Sequence, residues 1–315
     1  MASSVMEGMF ALPQPSPTLS DQTEDHPPSV TLSEDSQTLQ CLMRLLYADM
    51  GPKLWDLNAL GKVLDAAEKY EMANVTETLA VHILPQYITE NPLHVFALAS
   101  RHNLTDIIPK AASASLRIPF PKWDSPELSG ITGAAYHKLV MYRQRCQDAA
   151  VASLTESTSQ PRARDFLNPT TPLIPQCSSC PRNPVGILDR YGNLPLWFID
   201  HLDRAREALI KCADGEAVTS LAILEQTINK LPVLGTGPSQ GCQCAAKAPA
   251  ILIAFSRGLA VKIETETAKV SVNISDAEDE STNVTLLDQH FGEDGARRSN
   301  RYGGGGGLVS LFNVW

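Results

Sequence analysis

Apolar side chains recur at intervals of three and four residues through most of residues 30–148, which is the spacing of one face of an α-helix. Leu57, Leu60 and Leu64 begin one such stripe, whereas Val30 and Leu32 alternate with polar residues as in a short strand. Residues suited to capping helix N-termini precede the stripes. The predicted caps are residues 33–36, Asp56, Asn74 with Glu77, Asn91 with Pro92, Thr105 and Thr132. Residues 30–148 are therefore predicted to form one helical domain.

A stretch rich in proline, serine and threonine follows at residues 149–184. Its prolines exclude a continuous helix, so we predict a linker. Residues 185–272 then carry three more helical stripes, which predict a small helical C-terminal unit. The stripes are Phe198, Leu202, Ala205 and Leu209; Leu221, Leu224, Ile228 and Leu231; and Leu252, Phe255, Leu259 and either Lys262 or Ile263. The polar loop 12–29 and the acidic, glycine-rich tail 273–315 are predicted to be disordered.

Charge and hydropathy argue against two classes of partner. The formal net charge is −9, and an acidic protein repels a phosphate backbone, so direct nucleic-acid binding is not expected. The basic cluster Arg297, Arg298 and Arg301 is interpreted as a solvated part of the tail. Residues 1–12 do not have the pattern of a secretory leader, and no run of about 18 apolar residues occurs in the sequence, so we expect no membrane partner. Seven cysteines, an odd number, do not suggest a disulfide framework, and we predict an intracellular protein of the cytoplasm or nucleus.

Several segments between residues 3 and 146 match the pattern of a known family in order and spacing. They are residues 3–15 (SSVMEGMFALPQP), 30–47 (VTLSEDSQTLQCLMRLLY), 59–72 (ALGKVLDAAEKYEM), 91–101 (NPLHVFALASR), 112–116 (ASASL) and 135–146 (AYHKLVMYRQRC). Together they resemble the BTB/POZ proteins that are abundant in mushroom-forming fungi. The resemblance implies an α+β, mainly α fold, in which residues 1–148 form a BTB/POZ-like domain followed by helical hairpins.

The chain departs from that family at its beginning, because the β-hairpin that normally opens the domain has no counterpart here. We therefore expect a BTB/POZ-like domain that is incomplete at its N-terminus. In the family this hairpin supplies most of the sheet and, in many members, part of the dimer interface. Its absence leaves self-association an open question and leaves Met6, Met9, Phe10 and Leu42 with fewer apolar partners.

Four cysteines form the strongest chemical constellation in the sequence. Cys177 and Cys180 make a C-x-x-C pair, and Cys242 and Cys244 make a tighter C-x-C pair. Zinc favours four tetrahedral thiolates, and such a closed set is structural rather than catalytic. The pattern predicts a structural zinc site, with Cys212 as another candidate for the fourth ligand; the alternative is that all of these thiols are reduced and free of metal.

Residues with other chemistry have ordinary interpretations. The four histidines of the predicted helices lack a neighbouring nucleophile motif and are interpreted as surface or capping residues. They are His82, His94, His102 and His137. Cys41 and Cys146 are predicted to be core residues, and Trp55 and Trp123 to cover the edge of a core.

The function predicted is non-enzymatic protein–protein interaction, as a BTB-type adaptor or regulator. The expected partners are other proteins, including a second copy of the chain and, by the resemblance, a cullin-type ubiquitin ligase. Two alternatives stay open: a zinc-stabilised regulatory module centred on the C-terminal cysteine pairs, and an inactive fragment of a longer BTB protein. An enzyme would instead need titratable side chains clustered in one pocket.

Overall fold

The structure, a computed structural model, describes residues 3–12, 30–47, 56–159, 195–234 and 244–272. The chain divides into two units, residues 1–274 and 275–315, and all of the described residues belong to the first. This unit is mainly helical, as predicted. The described ranges contain no β-strand, so the strand predicted at Val30 and Leu32 does not form there; Leu32 packs against the hydrophobic core from an irregular segment. The loop and the tail predicted to be disordered, apart from Leu12, lie outside these ranges.

Short helices build the first part of the unit. They are α1 (Ser4–Ala11), α2 (Ser36–Leu46), α3 (Leu57–Lys69), α4 (Ala73–Thr78), α5 (Pro92–Arg101) and α6 (Ile108–Ser115). Three of the predicted caps are confirmed by their hydrogen bonds, because a side-chain oxygen accepts from an amide of the first turn. Asp35 accepts from Thr38 N at 2.7 Å, Asp56 from Asn58 N at 3.4 Å, and Thr132 from Ala135 N at 3.1 Å.

Two of the predicted caps are wrong. The carbonyl of Met72 accepts from the amide of Val75 at 3.0 Å, so α4 has already begun where Asn74 was expected to cap it. The carbonyl of Leu104 accepts from the amides of Ile107 and Ile108, which makes the residues around Thr105 a turn and delays the start of α6. In both places the start of the helix is set by a backbone hydrogen bond that an upstream carbonyl accepts from an amide, and not by the predicted side chain.

Helix α4 changes its winding after Thr78. A π-helical turn covers Leu79–Ile83, and a 3₁₀ turn covers Leu84–Tyr87. Pro85 has no amide proton, and its ring clashes with the carbonyl four residues earlier, so a regular α-helix cannot continue through it. The change of winding keeps Leu79 and Leu84 fully buried.

A first hydrophobic core gathers the apolar faces of α2 to α6 and the beginning of the next helix, α7 (Gly133–Ser159). The stripe predicted for α3 is confirmed, since Leu57, Leu60, Leu64 and Ala67 are all buried. The other large side chains fully buried in this core are Leu42, Tyr70, Met72, Leu79, Leu84, Phe96, Ile107 and Leu139.

Helix α7 does not end at the predicted domain boundary. We predicted a linker from residue 149, but the helix continues to Ser159. Its apolar stripe is continuous: Leu139 and Cys146 are buried in the first core, and Ala150 and Leu154 are buried in a second core. Burial of this stripe explains the extension, and the first proline of the stretch lies beyond the helix, at Pro161.

The second core is formed by the end of α7 and the helices that follow. These are α8 (Leu196–Lys211), α9 (Gly215–Thr219), α10 (Leu221–Leu234) and α11 (Cys244–Ala268). The stripes predicted for α8 and α11 are buried, whereas Leu221, placed on the α10 stripe, is 69% exposed. At Gly215 α9 approaches α11 closely, because a Cβ atom there would lie 2.9 Å from the carbonyl oxygen of Ala260.

Arg143 joins the two cores. Its side chain lies on α7, is 4% exposed, and donates to the carbonyls of Ile118 at 3.1 Å and Lys211 at 2.5 Å. Its guanidinium carbon also lies 5.2 Å from the ring centroid of Trp123, within cation–π range. Burial lowers the pKa of Arg143. One side chain therefore ties α7 both to the loop after α6 and to the end of α8.

Candidate interaction surface

An open groove on the surface of the first core lies between the end of α3, helix α4 and Leu104, which follows the end of α5. The backbone at the ends of α3 and α5 positions it. After α3 the amide of Met72 donates to the carbonyl of Ala67 at 2.7 Å, and after α5 the amide of Leu104 donates to the carbonyl of Ala99 at 2.8 Å. Both bonds are typical of a Schellman motif. Met72 and Leu104, which follow the two helix ends, both line the groove.

The floor of the groove is apolar and is built largely from small side chains. Ala67 and Met72 are buried, and Ala80 and Leu104 pack partly against the first core. Thr76 lies among them on α4. The groove has a volume of about 550 Å³, which can hold several side chains of a ligand. Small floor residues leave room for the backbone of a bound segment to come close.

Carboxylates rim the groove. Glu68 and Glu71 come from the end of α3, and Glu77 comes from α4. The Glu68 carboxylate lies 2.9 Å from the Nδ1 atom of His102, and the Glu71 carboxylate accepts from the Ser4 hydroxyl at 2.5 Å. Glu77 is exposed. Among the described residues that line this groove none is a lysine or an arginine, so its rim is uniformly acidic.

Glu71 has an unusual backbone conformation. Its φ is 53°, in the left-handed region that favours glycine. It occupies the first position beyond the α3 cap, where a Schellman motif usually has glycine. The equivalent position after α5 is Asn103, with φ 52°, and asparagine tolerates this region better than other non-glycine residues. The chain thus has a carboxylate at the one position of the α3 end where glycine would be least strained.

A second cleft, of about 280 Å³, lies between α3, α5 and a 3₁₀ turn at Pro126–Gly130. His94 Nδ1 lies 3.5 Å from the Glu127 carboxylate. Burial lowers the pKa of His94, although the charges of Glu127 and Asp56 act in the opposite direction. The cleft therefore contains a largely shielded histidine beside a carboxylate.

The arginine and the lysine that line this cleft already have carboxylate partners. Arg101 donates to both carboxylate oxygens of Asp65, at 2.9 and 3.0 Å, and Lys62 lies 3.0 Å from Asp35. A charged ligand would have to break an existing ion pair in order to bind there. The carboxylates of the first groove are mostly free of such pairing, and that groove is the better candidate for a binding surface.

The four histidines singled out in the sequence fall into two groups. His82 and His137 are exposed, as predicted. His94 is mostly buried in the second cleft. His102 occupies the cap position of α5, as one of the two interpretations predicted, but its side chain is only 1% exposed and contacts the carboxylates of Glu68 and Asp65.

A histidine that was not among the residues singled out in the sequence lies at the centre of the second core. His201 of α8 is fully buried, with Nε2 3.0 Å from Ser256 of α11 and Nδ1 3.4 Å from Thr227 of α10. The Thr227 hydroxyl donates its only proton to the carbonyl of Ile223, so its oxygen accepts from Nδ1–H of the imidazole. Nε2 is then the acceptor of the Ser256 hydroxyl proton. Burial lowers the pKa of His201 to about 4.

A signal for this network is present in the sequence. His201 lies three residues after Phe198, Thr227 three residues after Leu224, and Ser256 four residues after Leu252. Each polar residue therefore lies on the apolar face of its own helix. Three polar residues at core positions of three neighbouring helices predict a hydrogen-bonded cluster. Ser256 is 1% exposed, so this serine–histidine pair is enclosed in the core.

The predicted zinc ligands are not placed by the structure. Cys177, Cys180 and Cys242 lie outside the described residues, as does the side chain of Cys244 at the start of α11. Within the described part of the chain no three histidine, cysteine, aspartate or glutamate side chains form a metal-binding group. The zinc site stays a prediction, and native mass spectrometry with and without a chelator tests it through the mass of one bound metal ion.

The other cysteines and the tryptophans mostly follow their predicted roles. Cys146 is fully buried, whereas Cys41 is only half-buried. Cys212, the alternative zinc ligand, donates its thiol hydrogen to the carbonyl of Arg117 at 3.3 Å. Trp123 is 8% exposed and covers an edge of the first core, as predicted. Trp55 lies outside the described residues.

Comparisons of the chain with protein-family models, with curated proteins and with solved structures find no match. Among the helices that the structure describes, none has both the length and the apolar character needed to cross a membrane.

Proposed function

We propose that this chain is a non-enzymatic protein-interaction module and that the groove between α3 and α4 is its docking site for a segment of another protein. The observation that carries the proposal is the groove itself, with a volume of about 550 Å³ and an apolar floor that includes the partly exposed Ala80 and Leu104. Exposed apolar surface bordered by polar residues is typical of sites where proteins bind one another.

The resemblance to BTB/POZ adaptors supports the same class of function. The segments that carry it include α2, α3 and α5, and the groove is lined by the end of α3 and by Leu104, just beyond α5. We propose that the chain is a relative of these adaptors. Its partner would then be a second protein in a regulatory assembly, with a cullin-type ubiquitin ligase or a second copy of the chain as candidates.

Site-specific photo-crosslinking in cells that make the protein tests this proposal. A photoreactive amino acid at Ala73, an exposed residue that lines the groove, is compared with one at Ala222, an exposed residue of α10. We expect one defined protein to be crosslinked from position 73 and not from position 222. A second variant, Thr76→Trp, fills the groove and is expected to abolish that crosslink.

The outcome that would overturn the proposal is equally definite. If positions 73 and 222 give the same crosslinked proteins, or if Thr76→Trp leaves the crosslink intact, the groove is not the docking site. Circular dichroism of Thr76→Trp and of a matched Ala222→Trp control shows whether either change has unfolded the helices.

A further inference from the structure

The chemistry of the groove narrows the kind of partner it can bind. Its floor is apolar, and the ionisable groups at its rim are the carboxylates of Glu68, Glu71 and Glu77. A segment that fills the floor must present an apolar stripe, and its flanks meet negative charge. An amphipathic helix lays its apolar face into such a groove by residues spaced three and four apart.

Charge decides which amphipathic helix is favoured. Glu68 and Glu71 lie at the end of α3 and Glu77 lies on α4, so carboxylates come from two of the helices that border the groove. Lysine or arginine side chains beside the apolar stripe of a ligand would pair with them, and acidic side chains would be repelled. The formal net charge of −9 for the whole chain acts in the same direction over longer distances.

The backbone of Glu71 is an independent observation that points to the rim. With φ 53°, this residue is in a conformation that glycine adopts with least strain. Its carboxylate accepts from the exposed hydroxyl of Ser4 at 2.5 Å. Strained residues of this kind cluster at ligand-binding sites. A carboxylate kept there at a cost to the fold is explained if a ligand uses it.

We propose that the acid-rimmed groove binds a basic amphipathic helix of a partner protein, with its apolar stripe on Ala73, Ala80 and Leu104 and its basic flanks beside Glu71 and Glu77. This inference rests on the proposed function and adds the chemistry of the partner. Binding is expected to weaken as the salt concentration rises, because the pairs at the rim are exposed to solvent.

Fluorescence polarisation with the full chain and designed peptides tests the inference. The probe is a labelled helix of about 18 residues, long enough to be helical in water, with leucines at three- and four-residue spacing and lysines on both flanks. Its matched partner has glutamate in place of every lysine. We expect the lysine peptide to bind and the glutamate peptide to bind at least about tenfold more weakly.

Protein variants locate the binding. Glu77→Lys is expected to weaken the lysine peptide about two- to fivefold, the range of an exposed charge pair, and Glu71→Lys with Glu77→Lys to weaken it further. Glu71→Gly separates a binding role from a structural one. It removes the carboxylate and relieves the backbone, so we expect unchanged or higher thermal stability together with weaker binding. Glu225→Lys, an exposed change on α10, is the control that leaves binding unchanged.

Three outcomes overturn the inference, and they separate it from the proposed function. If both peptides bind equally and Thr76→Trp abolishes both, the groove is a docking site without charge selectivity, and only the basic partner is wrong. If neither peptide binds, or if Thr76→Trp has no effect, the groove itself is wrong. If the protein alone is a dimer that Thr76→Trp dissociates, the occupant is a second copy of this chain.

Discussion

The two hydrophobic cores of this chain differ in how they treat buried polar side chains. In the first core the fully buried Ser115 donates to the carbonyl of Ala112, within its own helix. In the second core the fully buried His201 contacts Ser256 and Thr227, each on a different helix. The Ser115 bond therefore does not select a neighbouring helix, whereas the polar network of the second core links three helices.

This difference indicates how each core is specified. Apolar packing is not directional, so the first core depends on the shape and spacing of its stripes. A hydrogen bond between side chains of two helices requires one particular rotation of each helix, and a buried network that loses a partner is costly. The second core is therefore expected to depend strongly on His201 and on its protonation state.

The largest expected effect comes from removing a central aromatic side chain from either core. Phe96→Ala in the first core and Phe198→Ala in the second are each expected to lower the free energy of unfolding by about 3–5 kcal/mol. Both side chains are fully buried. Hydrogen exchange measured by mass spectrometry should show the larger increase in the core that carries the substitution. Equal increases in both cores would show that they open together and would remove the distinction drawn between them.

Arg143 is predicted to couple the two cores. Replacement by methionine leaves the carbonyls of Ile118 and Lys211 without this donor, and we expect a loss of about 2–4 kcal/mol in the free energy of unfolding. Arg145→Met, on an exposed part of the same helix, is the matched control and should change stability by less than about 0.5 kcal/mol. Denaturant titration measures both. Equal effects of the two changes would mean that Arg143 does not couple the two cores.

Acid is predicted to weaken the second core through His201. In the folded protein the pKa of His201 is lowered from 6.5 to about 4. As the pH falls between these values, the unfolded chain binds a proton at this imidazole while the folded protein keeps it neutral. This contribution is fully present above pH 6.5 and is lost as the pH falls towards 4, by about 1–3 kcal/mol in total.

His201→Gln removes this proton uptake, so the variant's stability should fall less between pH 7 and about pH 4.5 than that of the unchanged protein. Denaturant titrations at several pH values measure the two slopes. His82→Gln, at an exposed position, is the matched histidine-to-glutamine control. Parallel slopes for His201→Gln and the unchanged protein would contradict the prediction, because groups outside the network, such as His94, are the same in both.

Helix content was predictable from sequence because it depends on local spacing. The stripe from Leu57 to Ala67 and the caps at Asp56 and Thr132 are local features, and all are confirmed. The end of α7 was not predictable in the same way. Residues 149–159 have a composition typical of a linker, and their helix depends on burying Ala150 and Leu154 against α8 and α11, a contact between segments far apart in sequence.

The groove could not be predicted from sequence because it is formed by two helix ends. Ala67 belongs to the apolar stripe of α3 and Glu77 to the predicted cap of α4, but nothing in the order of residues shows that Leu104 lies beside Met72. The positive φ of Glu71 is likewise a property of the folded backbone. The His201 network is different, since the helical spacing of its three members was available in the sequence.

The smallest predicted effect tests the start of α7, the helix that the two cores share. Thr132→Ala removes the hydroxyl that accepts from the amide of Ala135 at 3.1 Å, and it is expected to cost about 1 kcal/mol. Thr105→Ala is its control, because the sequence pattern made Thr105 a cap as well, yet α6 begins only at Ile108 and Thr105 is exposed. We expect Thr105→Ala to change the free energy of unfolding by less than about 0.5 kcal/mol. Denaturant titration of the two variants distinguishes a cap made by a side chain from one suggested by residue type alone, and equal losses would restore Thr105 as a cap.

Since α7 enters both cores, fraying at Thr132 should raise hydrogen exchange around Leu139 before it does so around Leu154, which is about four turns further along the helix.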